Sequence, residues 1–131
     1  YGDGLSDLNI SNAIKFHKDH GKHATLTSVF APGRFGMLDI DSDGNVNKFI
    51  EKPKGDGSKI NGGFFVLSPK VIDLIDSNDC VWEREPLEKL ASIGELMAYN
   101  HEGFWHPMDT LRDKLYLEDL YSSKDCPWKI W

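Results

Sequence analysis

Hydrophobic and polar residues along the chain follow spacings that change from helical to strand-like and back. Apolar residues recur at helical spacing from Leu8 onward, which predicts a helix that Asp7 or Asn9 caps. We expect this helix to extend to about His20, because Gly21 follows it as a stop signal.

Short apolar stretches bounded by turn residues predict strands. They are residues 24–30, 37–40, 46–50, 60–67, 96–99 and 104–106. Asp43 and Gly44 separate the second stretch from the third, as the turn of a hairpin would. The stretch 60–67 contains Phe64, Phe65 and Val66, and we expect it to be a buried strand.

Residues typical of helix starts predict three further helices. They are Ser68 and Pro69 before residues 71–75, Pro86 before residues 87–91, and Thr110 with Asp113 before a helix that continues through Tyr121. Helices and strands therefore alternate. The order predicts an α/β fold, in which helices flank a mixed, mainly parallel sheet.

The composition is that of an ordinary globular protein, and we expect residues 1–131 to form a single domain. Of the 131 residues, 40% are hydrophobic and 27% are charged, which is sufficient for a hydrophobic core. The net charge of −6 argues against binding to nucleic acid or to an anionic membrane. No apolar stretch approaches the ~20 residues of a membrane span. We therefore expect a soluble protein that is not exported.

One acidic motif resembles the start of a calcium-binding EF-hand loop. Asp39, Asp41, Asp43 and Gly44 have the spacing of its first ligands. The closing carboxylate would fall at position 50, which is Ile50, and the flanking residues alternate as in strands. We therefore interpret this motif as a solvated hairpin.

Three histidines are spaced by three residues near the end of the first predicted helix. His17 and His20 could lie on one helix face as metal ligands, but Gly21 ends the helix before His23. No carboxylate or cysteine completes a ligand set. We expect a polar helix end that faces water.

A third group of residues has the chemistry of a nucleotide and sugar-phosphate site. Asp3 lies between two glycines, which let a ligand approach the backbone, and Asp109 lies between a predicted strand and a predicted helix. Two such carboxylates could share a Mg²⁺ ion, whose other ligands are typically phosphate oxygens and water. Lys52 could hold a phosphate, while Glu51 and Asn61 could bind the hydroxyl groups of a sugar.

Each of these features also has a structural explanation. A glycine–aspartate–glycine sequence forms turns, and Asp109 could cap a helix. The segment with Lys48, Lys52, Lys54 and Lys59 could be a solvated basic loop. Taken one at a time, these residues leave both interpretations open.

Five motifs spread over the chain resemble those of a known family. They are Y-G-D-G-L-S-D at 1–7, P-G-R-F-G at 32–36, E-K-P-K-G-D-G at 51–57, I-N-G-G-F-F at 60–65 and P-M-D-T-L-R-D at 107–113. Together they resemble the bacterial sugar-1-phosphate nucleotidyltransferases. The third and fourth motifs are the most specific, whereas the first is weak by itself.

The resemblance implies a nucleotidyl transfer with Mg²⁺ as the cofactor. In that reaction a phosphate oxygen of glucose 1-phosphate attacks the α-phosphorus of CTP, which gives CDP-glucose and pyrophosphate. The resemblance assigns catalytic roles to Lys52, Asp3 and Asp109, and it makes the two aspartates the metal ligands. The substrate-binding residues that it implies are Gly2, Gly36, Glu51, Lys52, Asn61 and Gly62.

The motifs cover only part of the family's pattern, because the Gly-rich loop with which family members begin is not in this chain. We therefore expect the C-terminal part of a Rossmann-like nucleotidyltransferase, without the N-terminal strands and inactive by itself. The resemblance further implies a cytoplasmic homo-oligomer that supplies CDP-glucose for polysaccharide biosynthesis. The alternatives are an enzyme that uses dTTP or UTP, and a non-catalytic module that binds sugar phosphate. Retention of both Asp3 and Asp109 disfavours the non-catalytic module.

Overall fold

The structure is a computed structural model, and it describes residues 2–33, 37–50 and 58–130. In chain order the elements are β1 (Gly4–Ser6), α1 (Ile10–His20), β2 (Ala24–Phe30), β3 (Met37–Ile40), β4 (Val46–Ile50), β5 (Lys59–Asn61), β6 (Val66–Leu67), a 3-10 helix (Pro69–Leu74), α2 (Glu85–Ser92), β7 (Leu96–Asn100), β8 (Trp105–Pro107) and α3 (Leu111–Ser122). The predicted α/β class is confirmed.

Strand β2 is the centre of the largest sheet among the described residues. Strand β7 pairs with β2 in parallel, whereas β5 and β6 pair with it antiparallel. The sheet is therefore mixed, as predicted, but it is not mainly parallel in the part that the structure describes. A parallel neighbour must be reached by a crossover connection, which for β7 contains the 3-10 helix and α2.

Strands β5 and β6 lie along the same edge of β2, because β7 occupies the other edge. Asn61 is opposite Ser28 and Val66 is opposite Thr25, so residues 62–65 face only residues 26 and 27. We call residues 62–65 the β5–β6 bulge. The prediction of one buried strand over 60–67 is thus wrong, since the bulge interrupts it and its ends at Ile60 and Leu67 are 40% and 42% exposed.

The hydrophobic core lies between the β2 sheet and the layer formed by the 3-10 helix and α2. Its buried members are Ala24, Val71, Leu87 and Leu90, and Phe65, Leu74, Trp82 and Leu96 pack against them. The rings of Phe65 and Trp82 meet edge to face, with centroids 5.5 Å apart. The β5–β6 bulge is therefore anchored in the core at its last residue.

Local signals fix the ends of α1 and α3, as the sequence predicts. The Asn9 side chain accepts a hydrogen bond from the Asn12 amide, and Gly21 ends α1 in the left-handed conformation, with φ of 68°. Thr110 and Asp113 form the predicted capping box of α3.

The predicted hairpin is formed by β3 and β4. One carboxylate oxygen of Asp41 accepts hydrogen bonds from the amides of Asp43 and Asn45, and the other accepts one from the Asn45 side chain. The acidic motif is therefore a self-contained turn. Among the residues that the structure describes, no helix is long and apolar enough to cross a membrane.

Candidate functional site

The two aspartates predicted to bind metal are brought together by the pairing of β1 with β8. These strands are antiparallel, with Gly4 opposite Pro107, and the Met108 amide donates a 2.7 Å hydrogen bond to the Asp3 carbonyl. Asp3 precedes β1 and Asp109 follows β8. Both aspartates therefore lie at the same end of this two-stranded ladder, although more than a hundred residues separate them in sequence.

Hydrogen bonds favour the ionised form of the Asp3 carboxyl group. The pKa of Asp3 is lowered, first by a hydrogen bond from its own backbone amide and then by one from the Gly2 amide. A hydrogen bond with the Asp109 side chain lowers this pKa further. The Asp3 carboxyl group thus has a second acid, Asp109, beside it.

The β5–β6 bulge faces these aspartates across a cavity. Residue 62 must be glycine, because a Cβ there would lie 2.8 Å from Val29 Cγ1. The next two residues have positive φ, 76° at Gly63 and 46° at Phe64. The Asn61 side-chain oxygen accepts a 3.0 Å hydrogen bond from the Gly63 amide, which orients the Asn61 amide group at the start of the bulge.

The cavity has a volume of about 510 Å³, within the range of small-molecule sites. Its lining residues are Gly2, Asp3, Gly4, Ile60, Asn61, Gly62, Gly63, Phe64, Phe65, Trp105, Pro107 and Asp109. Five of the site residues named from the sequence, Gly2, Asp3, Asn61, Gly62 and Asp109, thus meet at one cavity. The other three, Gly36, Glu51 and Lys52, lie outside the described residues.

Sequence reasoning missed Trp105 as a site residue. Trp105 lines the cavity, and its indole N–H donates a 2.9 Å hydrogen bond to the Gly62 carbonyl. The sequence predicted only that Trp105 belongs to a strand. Its link to Gly62 is a tertiary contact, so no local signal could have revealed it.

The oxygen donors of the cavity suit a hard divalent cation. Asp3 and Asp109 supply two carboxylates, and Mg²⁺ typically takes one or two protein carboxylates together with phosphate oxygens and water. Within residues 2–33, 37–50 and 58–130, no group of three metal-ligating side chains occurs. Among the described residues that line the cavity, Asp3 and Asp109 are the carboxylates that such an ion could contact.

A serine, a histidine and an aspartate also meet outside this cavity, but they do not form a nucleophilic relay. His101 Nε2 lies 3.1 Å from Ser6 Oγ and 2.9 Å from Asp7 Oδ1. In a relay the acid and the nucleophile contact opposite ring nitrogens, whereas here both contact the same one. Ser6 Oγ donates to the Phe104 carbonyl, so the group joins β1 to the loop before β8.

The histidines at the end of α1 are half-buried, which corrects the expectation that they face water. The Lys22 amide donates to His20 Nδ1, so His20 must donate from Nε2 to Thr25 Oγ1, 2.7 Å away. Thr25 in turn lies 2.8 Å from His17 Nδ1, and His17 Nε2 lies 3.2 Å from Ser68 Oγ. Burial lowers the pKa of His17, and His20 lowers it further. The cluster therefore joins α1 to β2 through Thr25.

Comparison with known proteins matches this chain to one family. Residues 1–106 match the family model described as nucleotidyl transferase. The chain is 64% identical over all of its 131 residues to glucose-1-phosphate cytidylyltransferase of Salmonella typhi, of which it covers 51%. It is 36% identical over 137 aligned residues to mannose-1-phosphate guanylyltransferase 1 of Arabidopsis thaliana. That alignment covers 98% of this chain and 37% of the plant protein.

The solved structures show the same fold. The crystal structure of HddC from Yersinia pseudotuberculosis superposes with a TM-score of 0.64 at 24% identity, over 92% of this chain and 52% of HddC. The chain thus spans about half the length of the Salmonella relative and of this structure.

Proposed function

Because this chain belongs to the nucleotidyl transferase family, we propose that it supplies the sugar-phosphate-binding and metal-binding part of a glucose-1-phosphate cytidylyltransferase. The observation that carries this proposal is the cavity where Asp3, Asp109, Asn61 and Gly62 meet. The identity of 64% to the cytidylyltransferase, against 36% to the guanylyltransferase, favours CTP over GTP and glucose over mannose.

The proposed reaction transfers a cytidylyl group from CTP to the phosphate of glucose 1-phosphate. A phosphate oxygen of glucose 1-phosphate forms a bond to the α-phosphorus of CTP, and the bond between the α-phosphorus and the oxygen that bridges to the β-phosphate breaks. The products are CDP-glucose and pyrophosphate. The protein contributes the relative placement of the two phosphates and the stabilisation of their charge.

Asp3 and Asp109 would hold Mg²⁺ at one end of the cavity. The bound ion would supply positive charge to the phosphate oxygens. The hydrogen bonds that lower the pKa of Asp3 favour its ionised form, which is the form that binds a cation. The backbone hydrogen bond between Met108 and Asp3 fixes the spacing of the two acids.

The sugar phosphate would occupy the side of the cavity formed by the β5–β6 bulge. In this proposal the Lys52 ammonium binds the phosphate of glucose 1-phosphate, and the Glu51 and Asn61 side chains bind sugar hydroxyls. Gly62 contributes its backbone to the same side of the cavity. Gly36 contributes to the sugar site and Gly2 to the nucleotide site.

The test is product formation by the full-length protein with Mg²⁺, followed by chromatography for CDP-glucose and pyrophosphate. Parallel reactions replace CTP with dTTP, UTP or GTP, and glucose 1-phosphate with mannose 1-phosphate. We expect CDP-glucose to form fastest. Faster product formation from another nucleotide would reassign the base, and binding of glucose 1-phosphate without any transfer would support a non-catalytic module instead.

A further inference from the structure

At Phe64 the β5–β6 bulge has a backbone conformation that a non-glycine residue does not favour. Phe64 has a φ of 46°, in the left-handed region that non-glycine residues rarely adopt. Such a conformation persists only where surrounding contacts fix it. Since the bulge is one wall of the cavity, those contacts also determine the shape of the site.

Thr27 holds the bulge from behind the cavity wall. The Gly62 amide donates to the Thr27 carbonyl at 2.8 Å, and the Thr27 amide donates to the Gly63 carbonyl at 3.2 Å. The Thr27 hydroxyl donates to the carbonyl of Phe64 at 3.0 Å. This is the one side-chain contact of the three, and it acts on the residue with the unfavourable φ.

Trp105 holds the same bulge from the cavity side. Its indole N–H donates to the Gly62 carbonyl, and its position on β8 opposite Ser6 ties it to the ladder that carries the two aspartates. A Cβ on Gly4 would lie 3.4 Å from the indole nitrogen, so the ring lies close to the β1 backbone. Trp105 therefore sets the distance between the bulge and the aspartates.

We propose that Thr27 is a positioning residue for the sugar-phosphate side of the cavity, acting through the Phe64 carbonyl while Trp105 holds Gly62. The inference rests on the proposed function, since it assumes that glucose 1-phosphate binds against the bulge. Thr27 is 1% exposed and does not line the cavity. Any effect of the Thr27 hydroxyl on substrate binding must therefore pass through the bulge.

The test compares Thr27→Val with Thr27→Ser in the full-length protein. Valine keeps the shape of threonine but removes the hydroxyl, whereas serine keeps the hydroxyl. The matched control is Ser28→Ala, which removes a buried hydroxyl from the next residue of β2, where it donates to Asn100 on β7. All three variants change a buried side chain of the same strand, but only Thr27→Val removes the hydroxyl that donates to the bulge.

We expect Thr27→Val to raise KM for glucose 1-phosphate about fivefold, the usual effect of one net hydrogen bond. In Thr27→Val the kcat and the KM for CTP should stay unchanged. Thr27→Ser should keep the wild-type KM for glucose 1-phosphate. Trp105→Phe should raise the same KM, and the double variant should show less than the product of the two effects, because both residues hold one segment. An equal change in Ser28→Ala, or unchanged KM in Thr27→Val, would overturn the positioning role.

Amide hydrogen exchange of the peptide that contains residues 61–65 tests the inference without turnover. Exchange should be faster in Thr27→Val than in wild type, Thr27→Ser and Ser28→Ala. Equal exchange in all four proteins would show that the hydroxyl does not hold the bulge. If exchange differs between the variants as expected but the wild type makes no CDP-glucose, the proposed function fails and the positioning of the bulge stands.

Discussion

The chain contains two acidic turns, and the structure places them in different environments. In one, Asp3 lies between Gly2 and Gly4. In the other, Asp41 begins a turn that ends at Gly44. The pKa of each carboxyl is lowered by hydrogen bonds, from its own backbone amide for Asp3 and from the Asn45 side chain for Asp41.

The two carboxylates differ in how far along the sequence their interaction partners lie from them. Asp41 is satisfied by Asp43 and Asn45, both within four residues of it. Asp3 faces Asp109 and a cavity whose other wall comes from residues 60–65. A lowered pKa is therefore common to both turns, and only the acid brought from a distant part of the chain distinguishes the candidate site from the structural turn.

The largest expected difference is in turnover, between the carboxylate that faces Asp3 at the candidate site and the carboxylate of the Asp41 turn. Asp109→Asn in the full-length protein should lower kcat about 10²- to 10³-fold, because it removes a carboxylate that would hold Mg²⁺, the ion whose charge would stabilise the phosphates. Asp41→Asn makes the same chemical change in the other turn and should leave kcat at the wild-type value. Steady-state kinetics with CTP and glucose 1-phosphate measures both, and near-normal kcat in Asp109→Asn would remove Asp109 from the site.

A smaller effect is expected on the sugar-phosphate side of the proposed site. Lys52→Ala should raise KM for glucose 1-phosphate about 10- to 100-fold, the range for loss of a charged hydrogen bond, with less effect on KM for CTP. The matched control is Lys48→Ala, since Lys48 is an exposed lysine on β4. Initial rates at varied glucose 1-phosphate concentrations give the KM of each variant. Equal KM values in the two variants would refute the role of Lys52.

The smallest effect should be seen when the Asp41 turn is tested for stability. The pKa of Asp41 is lower in the folded protein than its ordinary value of 3.8, so its hydrogen bonds stabilise the hairpin above that pH and are lost as the pH falls through the folded pKa. Asp41→Ala should lower the melting temperature by a few degrees or less at neutral pH. The difference from wild type should shrink below pH 3.8.

Thermal unfolding followed by circular dichroism at a series of pH values measures this effect. The turnover of Asp41→Ala should match that of wild type at every pH where both are folded. A loss of turnover without a loss of stability would mean that the Asp41 turn contributes to the site after all.

Elements with local end signals could be predicted from the sequence. Helix α1 begins after Asn9, one of the two predicted caps, and stops before Gly21 as predicted. Thr110 and Asp113 start α3, also as predicted. The hairpin strands also match, because the turn between them is closed by neighbouring residues. By contrast, the bulge in residues 62–65 was missed, since it appears only when this segment is aligned with β2.

Part of the candidate site was also predictable, because some of its residues belong to local sequence motifs. Asp3, Asn61 and Asp109 belong to motifs that the sequence shows, and the structure brings them to one cavity. Thr27 and Trp105 carry no such motif. Their contacts with the bulge join residues more than thirty positions apart, so sequence spacing contains no sign of them.

The sequence by itself determined the α/β class, the local ends of helices and hairpin, and the residue types that a metal and sugar-phosphate site needs. Those properties depend on hydrogen bonds and hydrophobic spacing within a few residues. The tertiary structure alone decided which acidic turn faces a second acid, where the strand after residue 61 bulges, and which buried hydroxyl holds that bulge. These depend on strand pairing between distant segments, because only pairing fixes which backbone groups meet.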